Sequence, residues 1–441
     1  HLYGALARKD EAEIASLMNL YRKAYHVFAV LVFAAGMAVL PFIHLFMKNN
    51  SYSLSYIRVL YAMWLVRTVL SYLLTYRKSL LIADQKEYIA SITGLILNVV
   101  SYLAIILLVT WKQNYLLALG IGTVTEVVLN IWISWYVEQK YPFLRQRRKE
   151  KSTSSLTKRI VRDLKSLFIS RISEKMLYCT DNLIISGFIG VGTVGRYANY
   201  CMITQAISNI LTILANTIQP TVGDYFTEKN HQRNYEILRQ LTFGFFCIAS
   251  VVSIGLFSLI TPFVRDIWLG PSYELGWGIT VLCIVVLLVR IMGLPLSLVM
   301  GVTGLFEKEK NVGASSALLN LIVSLALVKP YGMAGVLLGT LLSYLLQIVY
   351  RYIIYFRDFL EMPGEALRYA QDIGEYLAVI AGEVLLMQKI VPLIYGAGGM
   401  LLFCVCFLLC IVIPLLLDLV IFGRGWRLQS IVTMVKGMRK A

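Results

Sequence analysis

Apolar runs of about 20 residues recur along the whole chain, and each is long enough to cross a bilayer as a helix. Twelve such spans are predicted, at 24–47, 55–76, 87–110, 114–137, 166–190, 194–220, 238–264, 277–303, 312–328, 332–356, 372–394 and 397–422. In hydrocarbon every backbone polar group must be bonded within its own segment, so runs of this kind imply helices. The composition agrees: 58% of the 441 residues are hydrophobic and only 15% are charged. A soluble or disordered chain is excluded.

The net charge of +16 therefore raises a question of side rather than of nucleic acid. The connections alternate. One set holds Arg8, Lys9, Arg22, Lys23, Arg77, Lys78, Lys86, the basic run 138–165, Lys229, Arg233, Arg239, Lys308, Lys310, Arg351, Arg357, Arg368 and the C-terminal tail, together 30 of the 41 Lys and Arg. The other set holds four: Lys48, Lys112, Arg265 and Lys329. The positive-inside rule places both chain ends in the cytoplasm, as an even span number requires. The run 138–165 reads as a solvated linker beside anionic headgroups.

Arg67 and Arg290 fall in the middle of spans, too deep to snorkel easily to the interface. Asn98 follows Arg67 by 31 residues, and Asn320 follows Arg290 by 30. Each Asn lies in the next span, which suggests two related bundles, a pattern common in transporters. Helical spacing collects the polar residues into stripes. Span 2 carries Arg67, Ser71, Thr75 and Lys78; span 4 carries Thr123, Glu126, Asn130 and Ser134. Span 6 carries Gln205, Ser208, Thr212, Asn216 and Gln219; span 9 carries Ser316, Asn320 and Ser324. Span 5 carries Arg171, Glu174, Lys175, Tyr178 and Asp181. Single polar residues of this kind often bond helix to helix. Whole stripes with mid-span Arg read as the lining of a water-filled cavity, since Arg keeps its charge at any relevant pH.

The seven Cys lie in apolar runs without a CxxC pair, and the four His lack metal-ligand spacing, so no metal and no cofactor is expected. No GxxxxGK[ST] loop is present, which argues against ATP hydrolysis by this chain. Coupling to a proton or sodium gradient, or to the membrane potential, is the remaining energy source, with Asp181 and Glu126 as candidate ion-coupling residues.

The stretches SLLIADQKEYI (79–89), DNLIISGFIGVGTVGRYANY (181–200) and NTIQPTVGDYF (216–226), in that order on a many-spanning chain, resemble the polysaccharide flippases of the multidrug/oligosaccharidyl-lipid/polysaccharide exporter superfamily. The resemblance implies an all-α integral membrane fold of two six-helix bundles plus a final pair. On that pattern 1–165 is an incomplete N-terminal bundle with its basic linker, 166–356 the C-terminal six-helix bundle, and 357–441 the final pair and tail. The chain starts without Met and matches from the family's third span onward, so the first two spans are expected to precede His1.

The function implied is not enzymatic. It is the flipping of undecaprenyl-diphosphate-linked oligosaccharide from the inner to the outer leaflet of the bacterial cytoplasmic membrane by alternating access. The partners implied are that lipid, the surrounding membrane and the polysaccharide polymerase or export machinery. Arg67 and Arg290 are the expected diphosphate contacts, since guanidinium matches phosphate geometry. Arg171 and Lys175 would receive the headgroup, and Tyr178, Asn98 and Asn320 would bond sugar hydroxyls. Two alternatives remain at this stage. A multidrug exporter of the same superfamily would favour an acidic or aromatic cavity. A membrane polysaccharide polymerase or ligase would need reactive groups on a long outer loop, and the longest here is VRDIWLGPSYELG (264–276).

Overall fold

The computed structural model describes residues 2–47, 52–145, 179–226, 230–396 and 398–423. The described residues are helical throughout, and the chain divides into two units, His1–Phe46 with Ser51–Ser166, and Met47–Asn50 with Leu167–Ala441.

The first unit contains α1 (Leu2–Ala7), α2 (Glu11–Val39, continued by a 3-10 segment Leu40–Phe46), α3 (Leu54–Thr75), the short α4 (Lys78–Ala83), α5 (Glu87–Lys112) and α6 (Tyr115–Lys140). The starts are capped by side chains that the sequence places just outside the apolar runs. Asp10 accepts from the Glu13 amide at 2.9 Å, Ser53 from Tyr56 at 3.3 Å, and Asn114 from Leu116 and Leu117 at 3.1 and 3.3 Å. Each cap satisfies backbone donors that a helix start leaves without partners. The α5–α6 turn passes through Gln113 in the left-handed region (φ 47°), which ends α5 and lets α6 pack back against it.

The second unit contains α7 (179–188), α8 (Val191–Tyr225), α9 (His231–Pro262), α10 (Trp277–Val302), α11 (Phe306–Tyr331), α12 (Met333–Ile353), α13 (Pro363–Tyr395) and α14 (Met400–Phe422). Helices α9 and α12 end in π-helical turns, Phe263–Trp268 and Ile354–Leu360. The tightest seam is α11 against α12. Gly332 (φ 56°) makes the turn, and Gly335 and Gly339 form a small-xxx-small face on α12. A Cβ at Gly335 would overlap the Leu327 carbonyl, and one at Gly339 would stand 3.0 Å from the Ser324 amide nitrogen and 3.1 Å from the Asn320 oxygen. Backbone-to-backbone approach of this kind is how helices associate where burying apolar surface gives no advantage over lipid.

Among the described residues, eleven helices are long and apolar enough to span a bilayer. They correspond to eleven of the twelve expected spans; of the twelfth, 166–190, only the part from 179 lies within the described residues. Their outer faces carry large exposed apolar side chains, such as Leu95, Val99, Leu103 and Leu107 on α5 and Leu401, Leu408, Leu416 and Val420 on α14. This is a multi-pass membrane protein, and those faces are its lipid surface.

Candidate functional site

In the first unit the stripes of spans 2 and 4 meet each other. The Arg67 Nε of α3 donates to Glu126 Oε2 of α6 at 2.6 Å, and the two side chains are 28% and 32% exposed. Gly122, one turn before Glu126, leaves room for the guanidinium: a Cβ there would lie 3.3 Å from Nη1. The Trp64 ring centroid lies 5.1 Å from the Arg67 Cζ, a cation–π distance. The seam continues with Thr75 donating to Asn130 (3.2 Å), Asn130 donating to the Glu126 carbonyl (2.9 Å) and Arg77 paired with Glu138 (2.5 Å). The stripes of spans 2 and 4 were read as cavity lining. Four of these eight residues, Arg67, Thr75, Glu126 and Asn130, are bonded across the helix seam, because α3 and α6 are neighbours. Arg67 and Glu126, expected in separate roles, form one ion pair.

Beyond that seam lies a pocket of about 360 Å³ lined by Arg22, His26, Tyr76, Arg77, Trp135 and Glu138. Sequence reasoning assigned Arg22 and Arg77 only to the inside connections and gave His26 no role. Their shared pocket arises because α2 passes beside the ends of α3 and α6.

The motif SLLIADQKEYI folds as α4 and the turn before α5. Asp84 at its centre accepts from the Tyr141 hydroxyl at 2.5 Å and from Lys86. Burial opposes ionisation of Asp84, but the bonds from Lys86 and Tyr141 outweigh it and hold the carboxyl below the usual range. Burial, with the bond to Asp84, raises the Tyr141 phenol. A depressed carboxyl stabilises the fold fully above the pH where its unfolded form ionises, about 3.9, and the contribution is lost as pH falls through the lower folded value. Asp84→Asn should therefore lower the melting temperature at neutral pH, and the gap to wild type should close in strong acid. A gap independent of pH in a melting series would show that Asp84 acts through packing instead.

In the second unit Asp181 of α7 is 4% exposed. Its Oδ2 accepts from the Thr340 hydroxyl of α12 at 2.7 Å, and its Oδ1 from the Asn320 amide of α11 at 3.4 Å. Asn320 also donates to Thr340 (3.0 Å) and accepts from Thr180 (3.1 Å). No ion pair to Asp181 is formed among the described residues. Its bonds come from neutral donors, an arrangement suited to a group that exchanges a proton or small cation within a membrane.

Asn320, expected to face sugar hydroxyls, is 0% exposed, with both ends of its amide bonded inside this cluster. Ser316 and Ser324 on the same stripe are buried against α12, where Ser343 donates to the Ser316 carbonyl at 2.9 Å and Ser324 to the Val336 carbonyl at 3.3 Å. The stripe of span 9 is thus a dry helix contact rather than a cavity wall. Gly335 and Gly339 bring the helices too close for water between them. Asn98 is exposed on α5, and Arg290 is partly exposed midway along α10. Arg171, Lys175 and Tyr178 lie outside the described residues. Sequence reasoning missed Thr340, whose role depends on a partner 159 residues away.

The model of the family described as "Polysaccharide biosynthesis protein" matches residues 4–226, half of the chain. The chain belongs to that family. No curated protein sequence matches it. Among solved structures it resembles the lipid II flippase MurJ in an inward-closed conformation, at 15% identity and a TM-score of 0.62, covering 96% of this chain and 89% of that one. It also resembles a mutant of the MATE transporter VcmN from Vibrio cholerae, at 11% identity and a TM-score of 0.50, covering 81% and 82%. These likenesses concern the fold, which is that of membrane transporters. With the family match, they bear out the exporter superfamily drawn from the three sequence stretches.

Proposed function

We propose that this family member flips undecaprenyl-diphosphate-linked oligosaccharide from the cytoplasmic to the outer leaflet of a bacterial cytoplasmic membrane, with both chain ends in the cytoplasm and by alternating access. The observation that carries this reading is the Arg67–Glu126 pair, a half-open ion pair in the middle of two spans of a polysaccharide-biosynthesis chain. A diphosphate carries about two negative charges and cannot cross hydrocarbon unaided. It competes with the Glu126 carboxylate for the Arg67 fork, and charge-assisted bonds to phosphate are of the stronger kind.

In this reading Arg290 is the second diphosphate contact, with residues 1–165 and 166–356 supplying one each. Arg171 and Lys175 receive the headgroup, and Tyr178 and Asn98 bond sugar hydroxyls. Asp181 is the ion-coupling group, with Asn320 and Thr340 holding its carboxylate. The prenyl chain stays in lipid.

The test is mass spectrometry of lipids that copurify in mild detergent. Wild type should be enriched in a diphosphate-linked prenyl oligosaccharide, and the Arg67→Ala/Arg290→Ala double variant should lose it. Lys at both positions should restore only part of the signal, because ammonium lacks the bidentate fork. Equal amounts of lipid in wild type and the Ala variant would reject the central-anion role.

A further inference from the structure

Helices α9 and α13 run parallel and are joined by four polar contacts. Arg239 binds Asp372 at 2.6 and 3.0 Å, Thr242 meets Tyr369 at 3.1 Å, Ser250 donates to Glu383 Oε2 at 2.7 Å, and Tyr395 donates to Asp266 at 3.2 Å. Helix α14 packs on both through the stripe Cys406, Cys410, Pro414, Asp418 and Phe422. Two carboxyl groups are thereby enclosed: Glu383 is 3% and Asp418 4% exposed. Among the described residues Glu383 Oε1 and both oxygens of Asp418 have no hydrogen-bond partner, and Asp418 lies within electrostatic reach of Glu383.

The groups facing the pair come from all three helices. Cys247 and Ser250 face it from α9, with Cys247 within reach of both carboxyls. Cys410 lies two turns from Asp418 on α14, and Tyr376 two turns from Glu383 on α13. The nearest basic side chain along α9, Arg239, is three turns from Ser250 and is held by Asp372. Among the described residues neither carboxyl forms an ion pair. On the side toward the α9 N-terminus, Phe243, Phe246, Tyr376 and Phe422 close the space, with ring centroids 4.5 Å apart for Phe246–Tyr376 and 5.5 Å for Phe246–Phe422.

Two ionised carboxylates enclosed this way lack counter-charge and lack donors for three oxygens, a combination that burial penalises heavily. A proton answers both defects: it removes one of the two charges and turns one orphaned carboxyl oxygen into a donor. Calcium and magnesium take six or more oxygens, and two carboxyls with one serine supply at most five. We propose that Glu383 and Asp418, with Ser250, form a proton-binding site in the final helix pair, separate from Arg67, Arg290 and Asp181. The bound proton holds α14 against α9 and α13. Its loss sets two like charges between the helices and loosens that packing. This site does not depend on which lipid the protein carries.

Dicyclohexylcarbodiimide, an apolar reagent for protonated carboxyls, tests it on the whole chain in lipid nanodiscs, with peptide mass spectrometry as readout. Wild type should be labelled at Glu383 or Asp418 at neutral pH. Labelling should fall about tenfold for each pH unit above its midpoint and should not respond to sodium. Asp418→Asn should cut labelling of Glu383 several-fold at neutral pH, because Glu383 then has no like charge nearby to favour its protonated form. Absence of label at both residues at every pH where the protein stays folded would overturn the proposal. So would protection by sodium at fixed pH, which would assign the site to a metal cation, and so would equal labelling of Glu383 in wild type and Asp418→Asn.

Discussion

Asp181→Asn should abolish surface-polysaccharide export in cells that depend on this chain, while the purified protein stays folded and still copurifies with its lipid-linked oligosaccharide. Asparagine keeps the volume and one acceptor for the Thr340 hydroxyl, now at 2.7 Å, but removes the only ionisable group of the cluster. The amide NH2 then faces the Asn320 NH2, a donor–donor conflict worth on the order of 1–3 kcal/mol. A fold held by α9, α10, α12 and α13 should tolerate that loss. Export would fall to background because coupling needs a group that changes charge, whereas substrate retention would persist because Arg67 and Arg290 are untouched. The contrast with the Arg67→Ala/Arg290→Ala variant, which should lose retention as well, separates coupling from binding. Normal export with Asp181→Asn would remove Asp181 from the coupling role.

Gly335→Ala should be among the most destabilising single-methyl changes in the protein. The new Cβ would overlap the Leu327 carbonyl of α11, and backbone cannot step aside as a side chain can. Overpacking typically costs about 1–3 kcal/mol, and a clash with backbone belongs at or above the upper end. The helices would have to separate, which draws Thr340 of α12 and Asn320 of α11 apart at Asp181, so export should fall with stability. Gly278→Ala on α10 is the control. A Cβ there meets nothing within 4 Å, and the change should stay within about 0.5 kcal/mol. Melting in detergent, followed by loss of soluble protein, measures both. Equal melting temperatures for Gly335→Ala and Gly278→Ala would mean that α11 and α12 pack less closely than their backbones indicate.

The elements that sequence reasoning located and those it missed differ in kind. The spans were legible because a bilayer imposes a length and an apolar content that each segment must meet by itself. The caps Asp10, Ser53, Asn114 and Asn230 were available to the same local reading, since each bonds an amide two or three residues on. The stripes were legible as stripes, since helical spacing alone defines a face. What faces them was not: the Arg67 stripe meets the Glu126 stripe, so much of an expected cavity wall is a helix seam. Glu383 and Asp418 carried a signal, each a lone acid in an apolar run, but attention to basic residues passed over them. Their meaning appears only when α9 and α14 enclose both.

From its sequence alone, this protein was determined to be an all-helical, many-spanning membrane chain with an uneven distribution of basic residues. Those properties follow from the partition of single segments between water and lipid. The tertiary structure alone decided that Arg67 pairs with Glu126, that Asp181 is held by Asn320 and Thr340, and that Glu383 and Asp418 share one enclosure. Each of these joins side chains at least 35 positions apart, and a contact of that kind depends on which helices become neighbours, a choice made by packing across the bundle and not by any segment's own hydropathy.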